Sequence, residues 1–184
     1  MPVSTSHKRR SRRRSNDSDS DDTEQTLRDL CSEIDKSDMC WNILKSELHR
    51  FSDSNDRDIF DGVIDLAIEK SKEIHEKINQ WFSDSNNDKL KDKYNSCSKN
   101  YNDIDRNLEE ARKNLDSDHY QKISDQINGA REKLNKCKHE FGADSFDPAH
   151  VRDRNNEIGL YLDMVRAAED RLEDYDDDDD RKKN

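Results

Sequence analysis

Four cysteines are the residues of this chain whose type and spacing could do specific chemistry: Cys31, Cys40, Cys97 and Cys137. Eight residues separate the first two and 39 separate the last two. Neither spacing is a C-x-x-C pair, so zinc binding and thioredoxin-like redox chemistry are not favoured. Four cysteines allow three disulfide pairings, and the alternative is four reduced thiols in a cytosolic protein.

The local pairing, Cys31–Cys40 and Cys97–Cys137, is the one that the surrounding pattern favours. The first bond would tie two short helices into a hairpin. The polar break near residue 117 lies 20 residues after Cys97 and 20 before Cys137. Two antiparallel helices that meet at this break would therefore hold both thiols at one level. By reducing the entropy of the unfolded chain, the two bonds would stabilise the fold by about 2.7 and about 3.9 kcal/mol respectively.

No other set of residues forms a recognisable catalytic or metal-binding motif. The four glycines are isolated, and neither G-x-S-x-G nor H-E-x-x-H occurs. The six histidines are His7, His49, His75, His119, His139 and His150. His75 is flanked by glutamates on a predicted charged helix face, and His139 with Cys137 makes only a weak metal pair. We therefore predict a protein that is not an enzyme and has no metal and no cofactor.

The composition predicts a thin core and a heavily solvated surface. Only 29% of the residues are hydrophobic and 42% are charged, against about 45–50% and about 25% in ordinary domains. The net charge of −11 argues against nucleic acid and membrane surfaces as partners, although the N-terminal segment is rich in arginine. No apolar run follows that segment, so no signal peptide is predicted in this chain. Residues 1–22 and the acidic residues 176–184 are predicted to be disordered tails.

Helical spacing of apolar residues runs through the middle of the chain. The apolar stripes cover 27–34, 39–48, 59–82, 90–115, 120–141 and 151–172, and polar breaks fall at 52–55, 83–88, 116–118 and 142–148. Ser37 is a candidate N-cap of the second segment. We predict an all-α fold over residues 23–175: an up-down-up-down four-helix bundle with two disulfides, preceded by a short helical hairpin.

The cysteine spacing resembles that of the plant invertase and pectin methylesterase inhibitor family. The resemblance covers about residues 24–173 and extends to several further motifs. These are Leu66-Ala67-Ile68, Cys97-Ser98-x-x-Tyr101, Asp118-x-Tyr120, Ile127-Asn128-Gly129-Ala130 and Arg154-Asn155-Asn156. The chain differs from the family pattern at Arg131, Glu132 and Lys133, where small or hydroxylated residues are usual.

The resemblance implies a monomeric, extracellular inhibitor of the plant cell wall. Such a bundle would block the active-site cleft of a pectin methylesterase or an acid invertase through one-to-one, non-covalent binding. The alternatives are a helical interaction module without an enzyme target and a family-like sequence that keeps only the fold. Thiol counting would separate the first alternative from an inhibitor, because two disulfides favour the inhibitor.

The loop between the second and third bundle helices indicates which enzyme is the target. Invertase inhibitors resembling this chain carry a Pro-Lys-Phe motif there, whereas this loop reads Leu115-Asp-Ser-Asp-His-Tyr120. Asp118 and Tyr120 instead resemble the version common in pectin methylesterase inhibitors. The resemblance therefore favours pectin methylesterase as the target, with Asp118 and Tyr120 as partner-binding residues.

Overall fold

Six α-helices build the chain in this computed structural model, which describes the backbone of residues 15–181 and the side chains of residues 19–172. The helices are α1 (Ser15–Ser32), α2 (Ser37–Ser46), α3 (Asp56–Asp84), α4 (Asp88–Asp116), α5 (Tyr120–Glu140) and α6 (Val151–Arg181), with a 3₁₀ turn at Leu48–Arg50. None of the helices in the described part of the chain combines the length and apolar character that a membrane crossing requires. The described residues contain no strand.

The four long helices pack as an up-down-up-down bundle. α4 packs against α3 and α5, and α6 closes the bundle by packing against the same two helices. The apolar stripes of these helices point inward and form one continuous core. The predicted all-α four-helix bundle with an N-terminal hairpin is therefore confirmed. The apolar pattern predicted it because residues that recur every three or four positions lie on one face of a helix.

The helical hairpin of α1 and α2 lies against the bundle and is closed by the hairpin disulfide, Cys31–Cys40. Both sulfur-bearing residues are buried together with Leu27 and Leu30 of α1. Phe51, just after the hairpin, packs directly on Gly62 of α3, where a Cβ atom would overlap the phenyl ring. Glycine is therefore required at this one close approach.

The bundle disulfide, Cys97–Cys137, joins α4 to α5 with its two Cα atoms 4.8 Å apart. The structure thus contains both bonds of the local pairing. Beside the bundle disulfide, the Tyr101 hydroxyl donates a hydrogen bond of 2.8 Å to Asn155 Oδ1. The Asn155 amide in turn lies 3.3 Å from the sulfur of Cys137. Tyr101 and Asn155 are fully buried, so this short polar chain links α4, α5 and α6 inside the core.

Side-chain caps fix where three of the long helices begin. Asn55 and Asn87 accept the backbone N–H groups of Asp58 and Leu90 at the starts of α3 and α4. The Asp147 carboxylate accepts the first two N–H groups of α6, at 2.8 and 2.9 Å. Short polar side chains supply the acceptors that a helix N-terminus lacks.

The prediction that Ser37 is an N-cap is wrong. Ser37 is the first residue of α2 itself, and Lys36 occupies the cap position without a side-chain hydrogen bond. The disulfide to Cys31 and the burial of Leu44 hold this short helix in place of a cap.

The outer helices extend beyond the apolar stripes that predicted them. α1 begins at Ser15 and α6 ends at Arg181. Within α1, Thr23 is buried and its hydroxyl donates to the backbone carbonyl of Asp19. The predicted tails are residues 1–22 and 176–184. Of these, residues 1–14 and 182–184 lie outside the described residues. The domain boundary at 23–175 stays a prediction.

Candidate functional site

The turn between α4 and α5 carries Asp118 and Tyr120, the two residues predicted to contact a partner. They lie at the end of the bundle where α3 begins, next to Arg57 in the first turn of α3. Arg57 Nη1 lies 2.6 Å from Asp118 Oδ1, and the second guanidinium nitrogen donates to the Leu115 carbonyl at 3.1 Å. The Tyr120 hydroxyl donates to the same Asp118 oxygen at 3.1 Å. We call Arg57, Asp118 and Tyr120 the tip cluster.

Electrostatics at the tip cluster favour a charged Arg57–Asp118 pair and a neutral Tyr120. The hydrogen bond from Arg57, followed by that from Tyr120, holds the pKa of Asp118 below its ordinary value. The same contact raises the pKa of Arg57, so the guanidinium stays charged. Partial burial is the main cause that raises the pKa of Tyr120, which keeps its phenol protonated and able to donate.

The tip cluster is a preorganised but accessible surface. Asp118 adopts a left-handed backbone conformation with φ 56°, which is uncommon for a residue other than glycine. Its side chain is 68% exposed, whereas the Arg57 side chain beneath it is 45% exposed. The contacts from Arg57 already hold the turn in one conformation. Little conformational entropy would therefore be lost if the turn contacted another surface.

Arg57 is a member of the tip cluster that sequence reasoning missed. It lies about 60 residues before Asp118 in the chain, and no spacing rule connects the two positions. The asparagine cap two residues before Arg57 marks the start of a helix, and this is the only local signal near it. Only the antiparallel packing of the helices brings the start of α3 to the α4–α5 turn.

A serine–histidine–aspartate chain lies between α3 and α4, where the sequence predicted only a charged helix face at His75. His75 Nε2 lies 3.1 Å from Ser98 Oγ, and His75 Nδ1 lies 3.0 Å from Asp105 Oδ2. The buried Ser71 hydroxyl donates to the other oxygen of Asp105, at 2.5 Å. The prediction for His75 is corrected: its side chain is only 19% exposed and cross-links the two helices.

The surroundings of Ser98 are unsuited to nucleophilic catalysis. The Ser98 hydroxyl donates to Asn79 Oδ1 at 2.5 Å, so its proton is directed away from His75. Ser98 lies inside α4, where backbone N–H groups are bonded within the helix and cannot stabilise an oxyanion. The geometry is that of a polar cross-link between α3 and α4.

Metal-binding residues do not converge in the described part of the chain. No group of three histidine, cysteine, aspartate or glutamate side chains there could hold a metal ion. All four cysteines are in disulfides, so the Cys137–His139 pair has no thiolate to offer.

Comparison with known proteins places this architecture. The family model for plant invertase/pectin methylesterase inhibitor matches residues 25–176. A mutant form of a pectin methylesterase inhibitor from Arabidopsis has a similar structure, with a TM-score of 0.67 and 18% identity over 77% of this chain and 93% of that one. A pectin methylesterase inhibitor from Arabidopsis thaliana matches with a TM-score of 0.60 and 16% identity, over 79% and 95% of the two chains. No curated protein sequence matches this chain significantly.

Proposed function

The chain belongs to the plant invertase/pectin methylesterase inhibitor family, and from this premise we propose that it is an extracellular, monomeric protein inhibitor of a pectin methylesterase. The inhibitor binds its target non-covalently and one to one, and excludes substrate by covering the active-site cleft. Acid invertase is the second target class of the family and is the less favoured candidate. The chain itself catalyses no reaction.

The observation that carries this proposal is the match of the family over residues 25–176, which runs from within α1 through α2, α3, α4 and α5 into the last turns of α6. The two structures of similar fold support the architecture alone, because their identities are only 18% and 16%. Two disulfides in so polar a chain are also consistent with an oxidising, extracellular environment.

Asp118 and Tyr120 contribute to the surface that contacts the enzyme. Their turn is held by Arg57, so little conformational entropy is lost when it docks. The turn also disfavours invertase, because it presents Asp116 and Asp118 where a lysine would pair with catalytic carboxylates. The Asp118 charge is already balanced by Arg57, whereas the Asp116 side chain is exposed. Like charges across an interface oppose association.

Inhibition assays with one pectin methylesterase and one acid invertase test the proposal at mildly acidic pH. We expect stoichiometric loss of pectin methylesterase activity, with invertase left active. Native mass spectrometry of the mixture should show a one-to-one complex. Invertase inhibition with pectin methylesterase untouched would reverse the choice of target. No effect on either enzyme by a folded, fully disulfide-bonded sample would favour the interaction-module alternative.

The role of the tip cluster is tested with two matched substitutions in one turn. Asp118→Asn removes the charge that Arg57 holds, whereas Asp116→Asn removes an exposed neighbouring charge. We expect D118N to weaken inhibition about tenfold, because a charged hydrogen bond that orders the turn is lost. D116N should leave inhibition unchanged or strengthen it. Equal loss in both variants would show that net charge alone matters and that the tip cluster has no special role.

A further inference from the structure

A cleft of about 380 Å³ opens at the end of the bundle opposite the tip cluster. It lies between the last turns of α3 and the first turn of α6. Its lining residues are Lys77, Trp81, Ala149, His150, Asp153 and Arg154. We call it the Trp81 cleft. None of its lining residues belongs to a disulfide or to the tip cluster.

A rigid aromatic surface forms one side of the Trp81 cleft. The indole of Trp81 is partly exposed and packs against Tyr94 of α4, with ring centroids 6.3 Å apart. Tyr94 stacks in turn on Phe141, at 5.5 Å and an interplanar angle of 22°. Both supporting rings are buried, so the indole is held in one orientation and presents a flat apolar surface.

The side chains that line the cleft carry two positive charges and one negative charge, although the chain carries a net charge of −11. Lys77 and Arg154 line the cleft together with a single carboxylate, that of Asp153. Lys77 pairs with Glu73 at 3.1 Å, and Arg154 pairs with Glu157 at 3.1 Å. These pairs are at the surface and between neighbours on one helix, so they stabilise little and leave both cations able to pair with a ligand.

His150 lines the cleft in an unfavourable backbone conformation. Its φ is 58°, in the left-handed region that residues other than glycine rarely adopt. The Asp147 carboxylate fixes the adjoining start of α6. The imidazole of His150 is 77% exposed, and its Nδ1 lies 3.8 Å from Asp153 Oδ2. A strained residue that is exposed and lines a cleft does not serve core packing, and such residues concentrate at binding sites.

We propose that the Trp81 cleft binds a sugar acid, with its pyranose ring stacked on Trp81 and its carboxylate paired with Lys77 and Arg154. A pyranose has a face of C–H groups that fits an indole and a rim of hydroxyls that His150 and Asp153 can bind. Guanidinium and ammonium groups bind carboxylates through charge-assisted hydrogen bonds. Lys77 and Arg154 can exchange their surface partners Glu73 and Glu157 for the ligand carboxylate, because such surface pairs stabilise little. A nucleotide would bring several charges close to Asp153 and an acidic chain. Binding of a sugar acid in this cleft is independent of whether the chain inhibits an enzyme.

Tryptophan fluorescence of the full chain tests this assignment. The chain has two tryptophans, and Trp41 lies elsewhere, under the guanidinium of Arg28 at 4.2 Å. Trp41→Phe therefore leaves Trp81 as the only reporter. We expect D-galacturonate to change its emission saturably in the millimolar range. The uncharged methyl ester of galacturonate and D-galactose should bind at least about tenfold more weakly, because each lacks the carboxylate.

Substitutions in the Trp41→Phe background separate the cleft from general charge effects. Lys77→Met and Arg154→Met should each weaken galacturonate binding about tenfold. Lys91→Met is the matched control, since Lys91 lies over Phe82 at the same end of the bundle, 4.7 Å from the ring centroid, and outside the cleft. His150→Gly should raise the melting temperature by removing the strained φ, and should weaken binding by removing the imidazole.

The outcomes distinguish the source and class of the ligand. Tighter binding of trigalacturonate than of the monomer would assign the cleft to an acidic polysaccharide, and equal binding per ring would assign it to the free sugar acid. The proposal is overturned if galacturonate gives no saturable response, if the methyl ester binds as well as the acid, or if a nucleoside triphosphate binds more tightly. An unchanged affinity in both the Lys77 and Arg154 variants would also overturn it.

Discussion

Replacing Tyr101 with phenylalanine should destabilise the fold through one hydrogen bond. The Tyr101 hydroxyl donates to Asn155 Oδ1 at 2.8 Å, and both side chains are 0% exposed. Burial raises the pKa of Tyr101 well above its usual range, so the hydroxyl keeps its proton and remains the donor. The Tyr101→Phe variant keeps the ring and its packing but leaves the Asn155 oxygen buried without a donor.

The expected cost is about 2 kcal/mol, because an orphaned buried acceptor loses about 1–3 kcal/mol. For a chain of this size the loss corresponds to a decrease of about 4–8 °C in melting temperature. Urea denaturation with intact disulfides measures the free energy of unfolding directly. The double variant with Tyr101→Phe and Asn155→Ala should lose about 1 kcal/mol less stability than the sum of the two single variants, because both residues take part in the same hydrogen bond.

Tyr94→Phe is the matched control for this experiment. Tyr94 is also a buried ring on α4, at 2% exposure, and its hydroxyl has no hydrogen bond within the described residues. We expect this change to cost less than about 0.5 kcal/mol. Equal costs at Tyr94 and Tyr101, or additive behaviour of Tyr101→Phe with Asn155→Ala, would refute the assignment of the energy to the hydrogen bond.

Three further predictions concern the disulfides, the tip cluster and the chain ends. Replacing both cysteines of the bundle disulfide with alanine should cost about 1 kcal/mol more in urea denaturation than the same change at the hairpin disulfide, because the bundle bond closes the longer loop; equal or reversed losses would contradict this. NMR titration should place the pKa of Asp118 below its ordinary value, and Arg57→Met should raise it. A carboxylate with a lowered folded-state pKa stabilises the fold above its unfolded pKa, and this contribution is lost as the pH falls through the lowered value; an unchanged titration in the variant would exclude the Arg57 contact. A chain limited to residues 23–175 should melt like the full chain, and a large decrease in melting temperature would show that an end packs on the bundle.

The sequence alone determined the helical elements and their order. Apolar residues at three- and four-residue spacing define a buried face without reference to any other part of the chain, and short polar breaks define the antiparallel topology. The equal distances of Cys97 and Cys137 from the α4–α5 turn predicted the bundle disulfide for the same reason. The positions of Asp118 and Tyr120 in that turn also followed from the breaks. Their roles in binding a partner remain a prediction.

Only the tertiary structure decided which polar side chains meet. Arg57 reaches Asp118, and His75 joins Ser98 to Asp105, because antiparallel packing sets the register of α3 against its neighbours. Trp81 lies at the end of the apolar stripe of residues 59–82 and packs against the core, and only the packing of α3 against α6 makes it line a cleft as well.

Periodicity reports which face of a helix is buried, but it does not report how far two helices slide along each other. A slide of one helical turn, about 5.4 Å, would separate every one of these pairs while leaving each stripe buried. Register is set by the sum of core packing, the disulfides and the close approach of Phe51 to Gly62. Contacts between distant residues therefore carry the information that the sequence pattern lacks.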